Sequence, residues 1–142
     1  MYNSIVVGVD DSPTALQAFD QAVEFAKMSG GTLHIVTAYK PKPAQEAEVP
    51  DEFRYSMAST GAADVLLQRL ADQATAEGVS SEVHAATADP ADALISVAAR
   101  ERADLIVVGN KGMKGARRVL GSVPNSVAHG ANCSVMIVDT TE

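Results

Sequence analysis

The segment from Gly109 to Ser122 has the composition of an anion-binding loop. It follows the apolar run Leu105–Val108 and contains four cations and no carboxylate, and its glycines are Gly109, Gly112, Gly115 and Gly121. Glycines let backbone N–H groups approach an anion closely, and a Gly-Ser that opens a helix adds unpaired amide donors and the positive end of a helix dipole. Because the whole chain has a formal net charge of −7, this local excess of positive charge predicts a phosphate site.

Short apolar runs alternate with amphipathic patterns along the chain, and this order indicates the elements that position the loop. The runs predict strands over residues 4–9, 32–38, 81–87, 105–108 and 135–138, and the patterns between them predict helices that begin near Ser12-Pro13, Thr60, Asp89-Pro90 and Ser122. Purely apolar strands in a β-α alternation are typical of parallel strands buried on both faces. We therefore predict one α/β domain over residues 1–142, a doubly wound, Rossmann-like five-stranded parallel sheet with helices on both faces.

In such a sheet, ligands bind outside the carboxyl ends of the strands, where the strand order reverses. Three loops should meet there: 8–12, 38–40 and the loop that begins at Gly109. In the first loop, Asp10 and Ser12 fit a helix cap, and one arrangement can serve both a cap and a ligand. Residues 40–52 are long and polar for a connection, which indicates either a flap beside the pocket or a solvated insertion.

The composition restricts the classes of partner. An acidic chain repels nucleic acid and anionic membranes, and no apolar stretch approaches the roughly 20 residues that a membrane span needs. The single cysteine, Cys133, opens an apolar run, which predicts a buried small side chain rather than a disulfide or a reactive thiol. The start of the chain lacks the pattern of a secretory signal, so we expect a cytoplasmic protein.

Several strings together resemble the universal stress protein family, in particular its nucleotide-binding branch. They are Val7–Ser12, Ala88-Asp-Pro90, Ala103–Gly109, Gly121–Pro124 and Ser134–Val138. The ATP-binding pattern of that family is a glycine, two residues, a second glycine, nine residues and then Gly-Ser or Gly-Thr. Gly109, Gly112 and Gly121-Ser122 match it, with eight intervening residues in place of nine, and Ala88 stands where the family often has glycine.

The resemblance implies an adenine nucleotide alpha hydrolase-like fold and a stress-response regulator that binds ATP, with or without Mg²⁺. It implies that Asp10 reaches the ribose or base, that backbone near Val9 and Ala38 lines the base, and that ribose and phosphates are held by Gly109, Asn110, Gly112, Gly121, Ser122 and Val123. Two alternatives stay open. One is cyclic AMP, since a shorter loop suits one phosphate better than three. The other is a dimerisation module with a vestigial pocket, because the family commonly forms homodimers through its last strand.

The sequence contains no recognisable catalytic machinery. There is no Walker A string, and Ser122 and His129 have no evident third residue to orient the histidine. His34, His84 and His129 are scattered without metal-ligand spacing, so we predict structural roles for them and no metal site. We therefore expect a binding protein rather than an enzyme, with slow ATP hydrolysis assisted by Asp10 and Asp11 as the alternative.

Overall fold

The computed structural model of the protein describes residues 2–10, 12–38, 61–110 and 123–140. In these ranges five strands alternate with four helices. In chain order they are β1 (Ser4–Gly8), α1 (Pro13–Ser29), β2 (Thr32–Ala38), α2 (Gly61–Ala76), β3 (Ser81–Ala86), α3 (Pro90–Arg100), β4 (Leu105–Gly109), α4 (Val123–Gly130) and β5 (Ser134–Val138).

The strands form one parallel sheet in the order β3-β2-β1-β4-β5. β1 is central, and its Ile5–Val7 segment pairs with Leu105–Val107 of β4 on one side, while Ser4–Gly8 pairs with Thr32–Val36 of β2 on the other. A strand buried on both faces must be apolar at consecutive positions, and Ile5, Val6 and Val7 are fully buried. These β-branched residues therefore place a fully buried apolar segment at the centre of the sheet.

The first and third helices begin where the sequence carries capping residues. Ser12 is the N-cap of α1, its Oγ accepting from the N–H of Ala15 at 3.2 Å, and Pro13 follows at the first turn. Asp89 caps α3 in the same way, accepting from the N–H of Ala91 at 3.2 Å. α1 ends at Ser29 and is capped by Gly30, whose φ of 75° lies in the left-handed region that glycine adopts without strain.

The helices cover both faces of the sheet and bury a separate apolar cluster on each. Residues of α1 and α2 pack with Ile5, Val7, Leu33 and Ile35 on one face, and residues of α3 and α4 pack with Val6, Val36, Ile106 and Val108 on the other. Because successive side chains of a strand point to opposite faces of the sheet, each central strand contributes to both apolar clusters. The five-stranded, doubly wound α/β fold predicted from the sequence is confirmed.

The predicted element boundaries agree with the structure to within one or two residues. The third strand ends at Ala86 rather than Thr87, and the fourth strand ends at Gly109 rather than Val108. The segment 40–52 lies outside the described residues, so its prediction is untested. Each helix in the described ranges falls short of the length and apolar character that crossing a membrane requires.

Candidate functional site

The carboxyl ends of β1 and β4 lie side by side at the middle of the sheet. From β1 the chain continues to β2 and β3 on one side, and it later returns to β4 and β5 on the other, so the strand order reverses between β1 and β4. Such a reversal leaves a crevice outside the strand ends, because the connecting helices depart to opposite faces. The predicted residues Asp10 and Asn110 follow the two strands at this crevice.

Asp10 is exposed at the rim of the crevice, where it also organises the start of α1. Its Oδ1 accepts a hydrogen bond from the N–H of Ser12 at 2.9 Å and another from the Ser12 hydroxyl. Ser12 in turn caps α1, so capping and an exposed carboxylate occur together. The loop holds the Asp10 carboxylate in place by backbone and hydroxyl donors, which is the preorganisation that a polar ligand contact benefits from.

Val9 and Ala38 lie at the ends of the two neighbouring strands β1 and β2. Val9 is buried, and its N–H donates to the carbonyl of Val36 at 2.8 Å, which extends the β1–β2 pairing past Gly8. Ala38 is half-buried and packs against the apolar cluster on the α3 face. Both positions therefore belong to paired backbone at the carboxyl ends of their strands, and their contact with a base stays a prediction.

Gly109 has a packing role that is independent of any ligand. A Cβ at this position would lie 3.3 Å from the carbonyl oxygen of Thr14 and 3.3 Å from Cγ2 of Thr140. The absence of a side chain lets the first turn of α1 and the segment after β5 approach the end of β4 closely. The small residue at the head of the glycine-rich segment therefore suits the close packing of the fold as well as an anion site.

The side chain of Asn110 is engaged within the protein. Its Oδ1 accepts from the N–H of Thr140 at 3.0 Å and from the Thr140 hydroxyl at 2.8 Å, and its Nδ2 donates to Asp139 at 3.0 Å. Asn110 and Thr140 are both buried. The amide thus connects the segment after β5 to the end of β4. Any contact from Asn110 to a nucleotide would therefore come from its backbone.

Val123 is the first residue of α4 and packs, half-buried, against the apolar cluster on the α3 face. The predicted ligand residues Gly112, Gly121 and Ser122 lie outside the described residues, as does Asp11. Their contacts with phosphate therefore stay predictions.

The sequence reasoning missed a second polar site, far from the crevice. His34 and His84, predicted to be scattered, meet across β2 and β3 with 3.0 Å between Nδ1 of His34 and Nε2 of His84. His34 lies four residues before the end of β2, about 13 Å along the strand from Ala38. This pair could have been found only from the pairing of β3 with β2 and from the register of that pairing.

Comparison with known proteins places this geometry in a family. The family model described as the universal stress protein family matches residues 1–139. A universal stress protein of Mycobacterium tuberculosis strain H37Rv is 35% identical over 144 residues, which cover 99% of this chain and 98% of the relative. The universal stress protein YxiE of Bacillus subtilis is 30% identical over 149 residues, with coverage of 97% and 99%.

Among solved structures, a universal stress protein in complex with cAMP superposes with a TM-score of 0.80 at 38% identity, covering 99% of each chain.

Proposed function

The chain belongs to the universal stress protein family, and from this premise we propose that it is a stress-response regulator that binds an adenine nucleotide. The ligand is ATP, held by the Gly109–Ser122 loop and by Asp10 at the crevice between β1 and β4. We further propose that residues 1–142 act as one domain in the cytoplasm. The acidic surface that a net charge of −7 produces argues against nucleic acid as a partner.

The observation that carries the proposal is that Asp10 directly follows β1, the strand that pairs with β4. The two strands that end at this crevice lead into an exposed carboxylate on one side and into the glycine-rich, basic sequence on the other. A nucleotide has hydroxyls at its sugar, which can donate to the carboxylate, and negative charge at its phosphates, which the basic sequence can attract. The similar structure solved with cAMP supports the same chemical class of ligand.

Titration calorimetry with ATP on wild-type protein and on the Asp10→Ala variant tests this proposal. A charge-assisted hydrogen bond contributes about 1.5–3 kcal/mol, so we expect the variant to bind ATP about 10- to 150-fold more weakly. Asp20→Ala is the matched control, because Asp20 is exposed on α1 and its loss changes the net charge equally. Equal affinity in all three proteins, or absence of ATP binding at millimolar concentration, contradicts the proposal.

A cyclic AMP site is the second candidate, and two observations favour it. The spacer between Gly112 and Gly121 has eight residues, and a universal stress protein in complex with cAMP is 38% identical to this chain. Competition between ATP and cyclic AMP for the wild-type protein, with and without Mg²⁺, decides between them. Displacement of ATP by a small excess of cyclic AMP favours the cyclic nucleotide, and tightening of ATP binding by Mg²⁺ favours the triphosphate.

We propose that the protein is a homodimer through β5. This strand forms one edge of the described sheet and exposes Ile137, and an unpaired edge is a template for a second copy. Sedimentation velocity should give a dimer for wild type, a monomer for Ile137→Glu and a dimer for the control Met28→Glu, since Met28 is 81% exposed on α1. If nucleotide leaves the thermal stability of the dimer unchanged, the pocket is vestigial and dimerisation is the function.

We propose binding without catalysis. In this account, Asp10 accepts hydrogen bonds from the nucleotide, as it does from Ser12, and does not activate water. The expected result is retention of intact ATP after prolonged incubation with stoichiometric protein. Release of ADP that is lost in the Asp10→Ala variant overturns this part of the proposal.

A further inference from the structure

Four side chains with metal-ligating atoms gather on the face of the sheet that α3 covers. They form a histidine–glutamate cluster of His34 on β2, Glu82 and His84 on β3, and Glu101 immediately after α3. Each offers one nitrogen or oxygen ligand atom, and these atoms all lie within 4.8 Å of one another.

The strand register brings the first three residues of the cluster together. His34 pairs with Glu82, and two residues further along the parallel strands Val36 pairs with His84. Side chains two residues apart share a face, and Val36 belongs to the apolar cluster on the α3 side. His34, Glu82 and His84 therefore point toward α3, whose C-terminal end brings in Glu101.

The contacts of His84 assign the position of its ring proton. Nη2 of Arg100 lies 3.3 Å from Nδ1 of His84, and because arginine can only donate, this nitrogen carries a lone pair. The His84 proton is therefore on Nε2, from which it is donated to Nδ1 of His34 over 3.0 Å. Burial and the proximity of His34 lower the pKa of His84, in agreement with a neutral ring.

We propose that this cluster binds one zinc ion, with Nδ1 of His34, Nε2 of His84 and the carboxylates of Glu82 and Glu101 as its ligands. Two imidazoles and two carboxylates are a donor set that zinc accepts in tetrahedral sites, and the two carboxylates balance its charge. Two imidazole ligands disfavour Mg²⁺ and Ca²⁺, which prefer oxygen.

The geometry needs small adjustments to receive the ion. Tetrahedral zinc with Zn–N bonds of about 2.0–2.1 Å holds its ligand atoms about 3.3–3.4 Å apart, so the two ring nitrogens at 3.0 Å must separate slightly. The Glu82 carboxylate, now 3.9 Å from Nδ1 of His34, is on a side chain that is 60% exposed and can rotate inward.

Zinc binding also requires a change at His84, whose proton moves from Nε2 to Nδ1. Arg100 must then leave, because two donors would face each other. Its side chain is 62% exposed and its Nε already lies 3.6 Å from the Glu101 carboxylate, so departure to solvent breaks no buried contact. The ion replaces the hydrogen bond between the rings and joins β2, the edge strand β3 and the end of α3.

The test is zinc binding to the metal-free full-length chain, measured without nucleotide by competition with a chromophoric chelator at pH 7.5. We expect one zinc per chain and a rise in Tm with zinc concentration, because the unfolded chain does not assemble the site. His84→Gln and Glu82→Gln should each weaken zinc binding at least about 10-fold. Loss of a residue that only orients a metal ligand already lowers metal affinity by about 10-fold or more. His129→Gln is the matched control, since His129 is exposed on α4.

Both test variants replace side chains outside the buried core, so each should fold, and circular dichroism confirms this before titration. The proposal is overturned if wild type binds no zinc, if both variants bind zinc as tightly as wild type, or if Mg²⁺ raises Tm as much as zinc. The Asp10→Ala variant should bind zinc with wild-type affinity, because the cluster and the nucleotide crevice are separate.

Discussion

Replacement of Asn110 by alanine should destabilise the protein even when no nucleotide is present. The variant loses two hydrogen bonds to Thr140 and one to Asp139. The N–H and hydroxyl of Thr140 then lie buried without that acceptor, whereas Asp139 is in a partly exposed bond that water can replace. At about 1 kcal/mol for each buried bond and a smaller amount for the third, the free energy of unfolding should fall by about 2–3 kcal/mol.

Urea denaturation followed by circular dichroism measures this change. The midpoint should decrease at constant slope, and thermal denaturation should show a Tm lower by about 5–10 °C for a chain of this size. Asn3→Ala is the control, because Asn3 is exposed and such surface changes usually stay within about 0.5 kcal/mol.

Thr140→Val tests whether the loss comes from the proposed partner. In a double-mutant cycle, Asn110→Ala should cost less in the Thr140→Val background, with a coupling energy of about 1 kcal/mol. The reasoning is refuted if Asn110→Ala has wild-type stability but binds ATP at least about 10-fold more weakly, since the amide would then serve the ligand and not the fold.

Two other changes test the packing and the electrostatics of described residues. Gly31→Ala places a Cβ 2.3 Å from the backbone carbonyl oxygen of Tyr2 and should lower the free energy of unfolding by about 3 kcal/mol in urea denaturation. Gly30→Asn, at an open left-handed position, should lower it by less than about 1 kcal/mol. Equal losses in the two variants would contradict the steric argument. Burial, reinforced by the negative charge of Asp104, raises the pKa of the Cys133 thiol. Iodoacetamide should therefore alkylate Cys133 slowly at pH 8 in the folded protein and rapidly in urea. Equal alkylation rates in the two states would contradict this prediction.

The fold was predictable because its signals are local. The buried strands are short runs rich in β-branched residues. Each capped helix start places a hydroxyl or carboxylate just before a proline, as at Ser12-Pro13 and Asp89-Pro90. Such patterns depend on neighbours within a few positions, so a sequence read alone contains them. The alternation of strands and helices then restricts the topology to a parallel sheet.

The roles of the crevice residues depend on contacts that the sequence does not show. Gly109 is adjacent to Thr14 and Thr140, and Asn110 bonds to Thr140. These partners lie about 30 or more positions away, and they supply structural reasons for residues that were assigned to the ligand from the motif alone. A glycine or an amide can satisfy a motif and the packing of the fold together, so motif agreement by itself does not separate the two.

The histidine–glutamate cluster shows the same limit in the opposite direction, since side chains with metal-ligating atoms meet where the sequence spacing indicated scattered histidines. Metal-ligand motifs are recognised when the ligands are near in sequence, but His34 and His84 are brought together by the pairing of β2 with β3. A one-residue slip of that register turns His84 to the other face of the sheet and separates it from His34. The cluster therefore depends on the fold as a whole, and a polar group at the end of α3, Glu101, completes it only because α3 crosses that face.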